Sequence, residues 1–151
     1  MPITINNGDI FKSNARVICH QVNCRGKMGR GIAASVRTYY PTAYKSYLEL
    51  CKEHESNPAG LLGSAQMVKC GNRIIVNLFA QDRYGSDGKR YTDYNAFRSC
   101  LNNLKQCVPP GETIAFPFKI GCGLGGGDWD KILTIIAEVF WEEYHVEIWK
   151  F

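Results

Sequence analysis

Residues 113–128 read TIAFPFKIGCGLGGGD, an apolar segment that runs directly into a cluster of glycines. The apolar run 113–118 is rich in β-branched and aromatic residues, which predicts a buried strand near the centre of a sheet. Five of the seven residues from Gly121 to Gly127 are glycine. Residues 128–144 predict a long helix. The segment therefore predicts a strand, a loop and a helix in that order, as in α/β proteins.

The same order occurs nearer the N-terminus. Residues 16–20 (RVICH) predict a strand, residues 23–31 (NCRGKMGRG) a loop, and residues 31–39 a helix that ends before Pro41. The helix ends there because the residue before a proline disfavours helical geometry. Further predicted elements are helices at 42–54 and 93–107, a hairpin of strands 63–69 and 73–79, and short strands at 3–5 and 146–149. This pattern predicts an α/β fold with a mixed sheet covered by helices on both faces.

Length and composition predict one domain over residues 1–151, in a soluble globular protein. Hydrophobic residues make up 45% of the chain and charged residues 21%, with a net charge of +4. No apolar run is long enough to span a bilayer, and the N-terminus does not resemble a signal peptide. The seven cysteines include no C-x-x-C pair, so we expect mostly buried, reduced thiols and no metal site. A cytoplasmic monomer is the expectation.

Two glycine loops, each between a strand and a helix, are the most informative feature of the sequence. Glycine lets backbone N–H groups approach a ligand closely, and the following helix adds the partial positive charge of its N-terminus. Loops of parallel strands gather at the carboxyl edge of a sheet. We therefore expect a diphosphate held from both sides. Tight turns that bind no ligand are the alternative for either loop taken alone.

Two other nucleotide motifs fit poorly. Gly121, Gly123 and Gly126 match G-x-G-x-x-G, but only one strand follows before the chain ends, so the dinucleotide-binding unit is incomplete. A Walker A sequence is absent because no G-K-[ST] occurs. No cofactor is expected.

Three motifs in this order and spacing resemble the macrodomain family over nearly the whole chain. They are Ile5-x-x-Gly8-Asp9-Ile10, the block from Cys19 to Ala33 (CHQVNCRGKMGRGIA), and Pro117-x-x-Ile120-Gly121-Cys122-Gly123-Leu124-Gly125-Gly126. The subgroup that it resembles most holds the yeast-type ADP-ribose 1″-phosphate phosphatase and the terminal ADP-ribose glycohydrolases. The resemblance implies a three-layer α/β/α sandwich on a mixed six-stranded sheet and implies ADP-ribose as ligand.

The resemblance also implies roles for individual residues. Asp9 would accept a hydrogen bond from the adenine amino group, with Ile10 beside the ring, although Asp9 could instead only shape the turn after Gly8. Trp149 or Phe151 would stack on adenine or simply pack. Asn23 would contact the distal ribose. The remaining implied ligand-binding residues lie in the two loops: Met28, Gly29, Gly31, Ile32, Ala33, Pro117, Ile120, Gly121, Cys122, Gly123, Leu124, Gly125, Gly126 and Gly127.

Three residues are candidates for catalysis: His20, Asn23 and Asp128. His20 is suited to proton transfer at neutral pH, or it is a structural histidine at the end of a strand. Asp128 is a candidate acid, or the N-cap of the last helix. Glycohydrolases of the resembling subgroup carry a lysine after the middle strand and an acid after Gly-Cys-Gly-Leu. This chain has Ala80-Gln81-Asp82-Arg83 and Gly125 at those places.

Three hypotheses follow for function. The first is a hydrolase acting on ADP-ribose 1″-phosphate or on ADP-ribose attached to a protein or nucleic acid. The second is a non-catalytic module that binds free or attached ADP-ribose. The third is an RNA-binding module, which rests only on the net charge and on the basic residues of the loops. The expected partner is ADP-ribose or an ADP-ribosylated molecule. Neither a membrane nor nucleic acid other than an ADP-ribosylated substrate is expected.

Overall fold

Six strands form one sheet in the computed structural model, which describes residues 3–151. They are β1 (Ile3–Asn7), β2 (Val17–Asn23), β3 (Ala65–Cys70), β4 (Arg73–Gln81), β5 (Thr113–Pro117) and β6 (His145–Lys150), in the spatial order β1-β6-β5-β2-β4-β3. Strand β3 is antiparallel to β4, and every other neighbouring pair is parallel. The predicted mixed six-stranded sheet is confirmed. The predicted domain also includes Met1 and Pro2, which lie outside the described residues.

Four α-helices in the described chain cover the sheet: α1 (Gly31–Tyr39), α2 (Pro41–Glu53), α3 (Tyr94–Cys107) and α4 (Trp129–Phe140). Pro41 begins α2, where its missing N–H leaves no donor unpaired. Asp93 and Asp128 cap α3 and α4 by accepting hydrogen bonds from amides of the first turn. The sequence pattern did not reveal two short 3₁₀ turns, at Ile10–Lys12 and Pro58–Leu61.

Side chains of the central strand β2 alternate between two buried layers, as the period of a strand requires. Ile18 and Val22 face the cluster that includes α1 and α2. Val17 and Cys19 face the cluster that includes α3 and α4. Helices therefore pack on both faces, and the three-layer α/β/α sandwich is confirmed.

Two element ends differ from the predictions by three residues or more. Strand β2 continues through Asn23, because β4 pairs with it up to that residue. Helix α4 was expected to reach Tyr144 but ends at Phe140, and Glu142 adopts a φ of 61° in the turn that follows. This turn brings Tyr144 into the core, where its hydroxyl donates to the Val108 carbonyl at 2.6 Å.

The cysteines are free thiols, and Cys19, Cys24, Cys51 and Cys100 are buried. Two more are half-buried and Cys107 is exposed, which agrees with mostly buried, reduced thiols. Across residues 3–151, no helix has both the length and the apolar character needed to cross a membrane.

Candidate functional site

The two glycine loops lie side by side at the carboxyl edge of the sheet. The first loop (residues 23–31) follows β2 and the second loop (residues 121–128) follows β5, and these strands are parallel neighbours. The second loop also reaches back to β2, because a Cβ atom placed on Gly121 would lie 2.6 Å from Oε1 of Gln21. The expectation that both loops share one edge is confirmed.

Asn23 holds the first loop in shape. Its side chain is 6% exposed, and its Oδ1 accepts hydrogen bonds from the amides of Arg25 (3.0 Å) and Lys27 (3.3 Å) and from the Tyr47 hydroxyl (2.9 Å). Its Nδ2 donates to the Lys27 carbonyl at 2.7 Å. The side chain expected to contact the distal ribose is therefore occupied with organising the loop. One Nδ2 proton is left over in this arrangement.

An ion pair ties the first loop to the end of β4. Arg25 donates to both carboxylate oxygens of Asp82, from Nε at 2.9 Å and from one terminal nitrogen at 3.1 Å. The Cys24 amide also donates to the Asp82 carbonyl at 3.0 Å. Asp82 follows directly after β4, in the stretch 79–83 that contains no lysine. The position holds a paired carboxylate in this chain.

The first loop ends at an uncapped helix N-terminus. Arg30, the N-cap residue of α1, makes no side-chain capping hydrogen bond. The amides of Gly31, Ile32 and Ala33 fall in the first turn, where α-helical bonding provides no acceptor. None of the three has another acceptor among the described residues. They are available to an anion, and the helix dipole adds to their attraction.

The second loop uses some of its amides internally and leaves others unpaired. The amides of Cys122, Gly126 and Gly127 donate to backbone carbonyls of residues 119–123. Those of Gly123, Leu124 and Gly125 have no acceptor within residues 3–151. Three consecutive amides of this glycine-rich turn are thus unpaired, and successive free amides in turns are a feature of phosphate-binding loops.

The residues expected near adenine lie at the same edge, Asp9 and Ile10 just after β1 and Trp149 near the end of β6. Asp9 caps the first 3₁₀ turn by accepting a hydrogen bond from the Phe11 amide at 2.9 Å. That bond uses only Oδ1. Trp149 packs beside Gly8, whose added Cβ would lie 3.6 Å from the indole ring. Ile10 is 6% exposed. Phe151 is fully exposed, so Trp149, which packs beside Gly8, is better placed than Phe151 to stack on adenine.

The apolar residues expected to line the loops differ in their burial. Met28 and Ile120 are 2% and 4% exposed and pack in the two layers of the core. Pro117, Ile32 and Ala33 are half-buried, whereas Leu124 is 50% exposed. Leu124 is thus the large apolar side chain that the second loop presents to solvent.

His20 does not reach the surface. It is fully buried on the face of β2 that carries Ile18 and Val22, and its ring Nε2 lies 2.5 Å from Oδ1 of Asn77 on β4. Because an amide oxygen only accepts, Nε2 carries the proton, and Nδ1 has no partner among the described residues. Burial lowers the pKa of His20 from 6.5 to about 4. A group without exposed surface cannot contact substrate, so the structure favours the structural role.

The structure does not place the three candidates for catalysis in one cluster. Asp128 begins α4, on the sheet face opposite the His20 side chain, and its Oδ1 accepts from the Asp130 amide at 2.9 Å. Its role is that of an N-cap. Asn23 organises its own loop. Cys24 is no substitute, because burial, together with the nearby Asp82 carboxylate, raises the pKa of its thiol to about 12.

Sequence reasoning missed a buried polar cluster beneath the second loop. Gln21 Nε2 donates to Oε1 of Gln81 at 2.7 Å and to Oγ1 of Thr92 at 2.8 Å. Thr92 in turn donates to the Gly121 carbonyl at 2.6 Å. These residues come from β2, β4 and the segment before α3. No local sequence signal joins them. The one hint was Thr92 next to the helix cap Asp93.

The geometry defines a class of protein: an α/β/α domain with two adjacent glycine-rich loops and unpaired amides at one sheet edge. A family model described as "Macro domain" matches residues 19–136. The chain is 34% identical over 152 residues to the ADP-ribose 1″-phosphate phosphatase of Meyerozyma guilliermondii, covering 90% of this chain and 86% of that protein. It is also 26% identical over 148 residues to the DNA ADP-ribosyl glycohydrolase of Mycobacterium tuberculosis, covering 91% of this chain and 38% of that protein.

A solved structure has the same fold. The macrodomain of Mycobacterium tuberculosis DarG superposes with a TM-score of 0.79 at 23% identity, covering 97% of this chain and 96% of that one. The chain belongs to the macro domain family, as its motifs predicted.

Proposed function

We propose that this protein binds ADP-ribose or a derivative along the carboxyl edge of the sheet and hydrolyses an ADP-ribosyl compound. The observation that carries the proposal is the two sets of unpaired amides, at residues 31–33 and 123–125, on loops of adjacent strands. A diphosphate presents several oxygens to two sides at once, so two amide sets match it better than one. The names of the phosphatase and glycohydrolase relatives support the same ligand.

The order of strands gives the ligand a direction. Asp9 follows β1, the second loop follows β5, and the first loop follows β2, in that order across the sheet. Adenine would therefore lie near Asp9 and Trp149, the diphosphate between the loops, and the distal ribose toward Asp82 at the end of β4. The second carboxylate oxygen of Asp9 would accept the adenine amino group, since Oδ1 is already bonded to the Phe11 amide.

Among the hydrolytic reactions, this site favours removal of the 1″-phosphate. The lysine–acid pair of the resembling glycohydrolases has no counterpart, because Asp82 is paired with Arg25 and the acid position is Gly125. Lys27 and Arg30 are exposed at the first loop and form no ion pair within the described residues. Their charges would stabilise a second phosphate group at the distal end.

A non-catalytic ADP-ribose-binding module is the second candidate. The burial of His20 and the capping role of Asp128 favour it, because neither residue is presented as a free acid or base. It differs from the first candidate in one observable: ADP-ribose would bind with the same affinity, but no product would form.

The experiment combines binding and turnover. ADP-ribose is titrated by calorimetry, and phosphate release from ADP-ribose 1″-phosphate is measured on the same preparation, with ADP-ribosylated DNA and protein as further substrates. We expect micromolar binding, about −8 kcal/mol, with steady phosphate release. Binding without any product would support the second candidate. No ADP-ribose binding at millimolar concentration would refute both.

A matched pair of variants locates the site. Leu124→Glu places a carboxylate beside the free amides of the second loop, and we expect at least tenfold weaker ADP-ribose binding because the charge repels the diphosphate. Met67→Glu makes the same change at an exposed apolar residue of β3, on the distant edge of the sheet. That variant should bind like the wild type. Equal affinities for the two variants would place the site elsewhere.

We also propose that the protein works as a monomer in the cytoplasm. The free thiols support a reducing compartment. Light scattering on purified protein and fractionation of the source cells test the two parts separately.

A further inference from the structure

A loop that binds an anion through its amides must keep its carbonyl oxygens away from that anion. The second loop has two carbonyls that are turned inward and bonded. The Gly121 oxygen accepts from the Gly127 amide at 2.9 Å and from the Thr92 hydroxyl at 2.6 Å. The Gly125 oxygen accepts from the amides of Tyr91 at 2.7 Å and Thr92 at 2.9 Å. Thr92 thus bonds both carbonyls that flank the free amides of residues 123–125.

The direction of the Thr92 hydroxyl is fixed. Gln21 Nε2 can only donate, so the hydroxyl oxygen accepts from it at 2.8 Å and directs its own proton to the Gly121 carbonyl. Gln21 Nε2 also donates to Gln81, which holds the amide in place. The chain of bonds therefore runs from β2 through Thr92 to the loop.

Backbone contacts on both sides hold Thr92 in place. It is 1% exposed and forms an isolated antiparallel bridge with Gln81 at the end of β4. The next residue, Asp93, caps α3 and donates its amide to the Ala80 carbonyl at 2.8 Å. A residue fixed at both ends in this way can set the shape of a glycine-rich loop that has little conformational preference of its own.

Close packing around Gly125 adds a second constraint. A Cβ atom placed there would lie 2.6 Å from Thr92 Oγ1 and 2.7 Å from the Gly121 oxygen. The hydroxyl of Thr92 therefore occupies the space that any side chain at position 125 would need.

We propose that Thr92 is a positioning residue that holds the second loop with its carbonyls inward and its amides toward the ligand, and that Gln21 orients the Thr92 hydroxyl for this purpose. The inference rests on the proposed function, since the ligand is taken to be ADP-ribose. It adds a residue that does not contact that ligand and acts through the loop.

The test compares Thr92→Val with Thr92→Ser. Valine keeps the shape of the threonine side chain but loses its hydroxyl, whereas serine keeps the hydroxyl and loses the methyl group. Calorimetry with ADP-ribose and NMR titration with adenosine report the whole site and the adenine end separately. We expect Thr92→Val to bind ADP-ribose at least tenfold more weakly with unchanged adenosine binding, and Thr92→Ser to stay within threefold of the wild type. Gln21→Met should lie between them.

A stability control separates positioning from general loosening. Tyr144→Phe removes another buried hydroxyl, one that donates to the Val108 carbonyl at the far end of the molecule. It should lower the melting temperature without changing ADP-ribose affinity. Wild-type affinity in Thr92→Val, or an equal loss of adenosine binding, would overturn the proposal. If Thr92→Val does not fold, wild-type affinity in Gln21→Met overturns it. A wild-type protein that fails to bind ADP-ribose would instead refute the proposed function and, with it, this role.

Discussion

The buried His20 makes folding stability depend on pH, and the size of this pH dependence follows from the pKa of His20 in the folded protein. Burial lowers the pKa of His20 from 6.5 to about 4. In the unfolded chain the histidine takes up a proton as pH falls through 6.5, while the folded protein resists protonation until about pH 4. The free energy of unfolding is therefore unaffected by His20 protonation above pH 6.5. It decreases progressively as the pH falls from 6.5 to about 4. At about 1.4 kcal/mol for each factor of ten, the loss is about 3 kcal/mol.

Urea unfolding of the wild type and of His20→Gln at several pH values between 7.5 and 4 measures this effect. Glutamine does not titrate, so subtracting the two curves cancels the contribution of every other group. We expect the wild type to lose about 3 kcal/mol more than the variant across the interval. An NMR titration should show the His20 ring neutral at pH 6. Identical pH dependence in the two proteins, or a His20 that titrates near neutrality, would refute the burial argument and restore His20 as a candidate base.

Three further predictions concern the loops and the cap. Gly125→Ala should destabilise the fold by about 2 kcal/mol in urea unfolding, since the Cβ of the alanine would lie 2.6 Å from the buried Thr92 hydroxyl. Gly123→Ala is the matched control: its Cβ has open space around it, so the free energy of unfolding should change by less than about 0.5 kcal/mol. Asn23→Asp should cost about 2 kcal/mol by thermal or urea unfolding, because a carboxylate cannot donate to the Lys27 carbonyl as Nδ2 does; unchanged stability would contradict its organising role. Asp128→Ala should cost about 1 kcal/mol through the lost cap and leave phosphate release within twofold of the wild type; a large loss of turnover would make Asp128 catalytic after all.

The features that the sequence predicted well depend on local patterns. The strand–loop–helix units around residues 113–128 and 16–39 combine apolar residues at regular spacing, glycines and a proline within a short stretch. These local features determine the backbone conformation. Parallel strands then bring their loops to one edge without further information. The cap at Asp128 is likewise a local signal.

The features that the sequence did not reveal depend on residues far apart in the chain. His20 is buried because Asn77, 57 residues later, bonds its ring, and because Asn77 is held in turn by Gln66 of β3 and the Ala43 carbonyl of α2. The end of α4 is likewise set by Tyr144, whose hydroxyl reaches Val108 on another element. Neither set of partners has a signature in the local pattern.

This chain departs from the glycohydrolase pattern by lacking a lysine after β4 and by having glycine at position 125. Neighbouring residues fit the residues that are present at both places. The stretch 79–83 contains no lysine, and its Asp82 pairs with Arg25 of the first loop, so a lysine at position 82 would face that guanidinium as a like charge. Position 125 has no room for an acid, because Thr92 Oγ1 lies 2.6 Å from the place of its Cβ. Single substitutions that restore the lysine or the acid should therefore disturb the loops before they add chemistry.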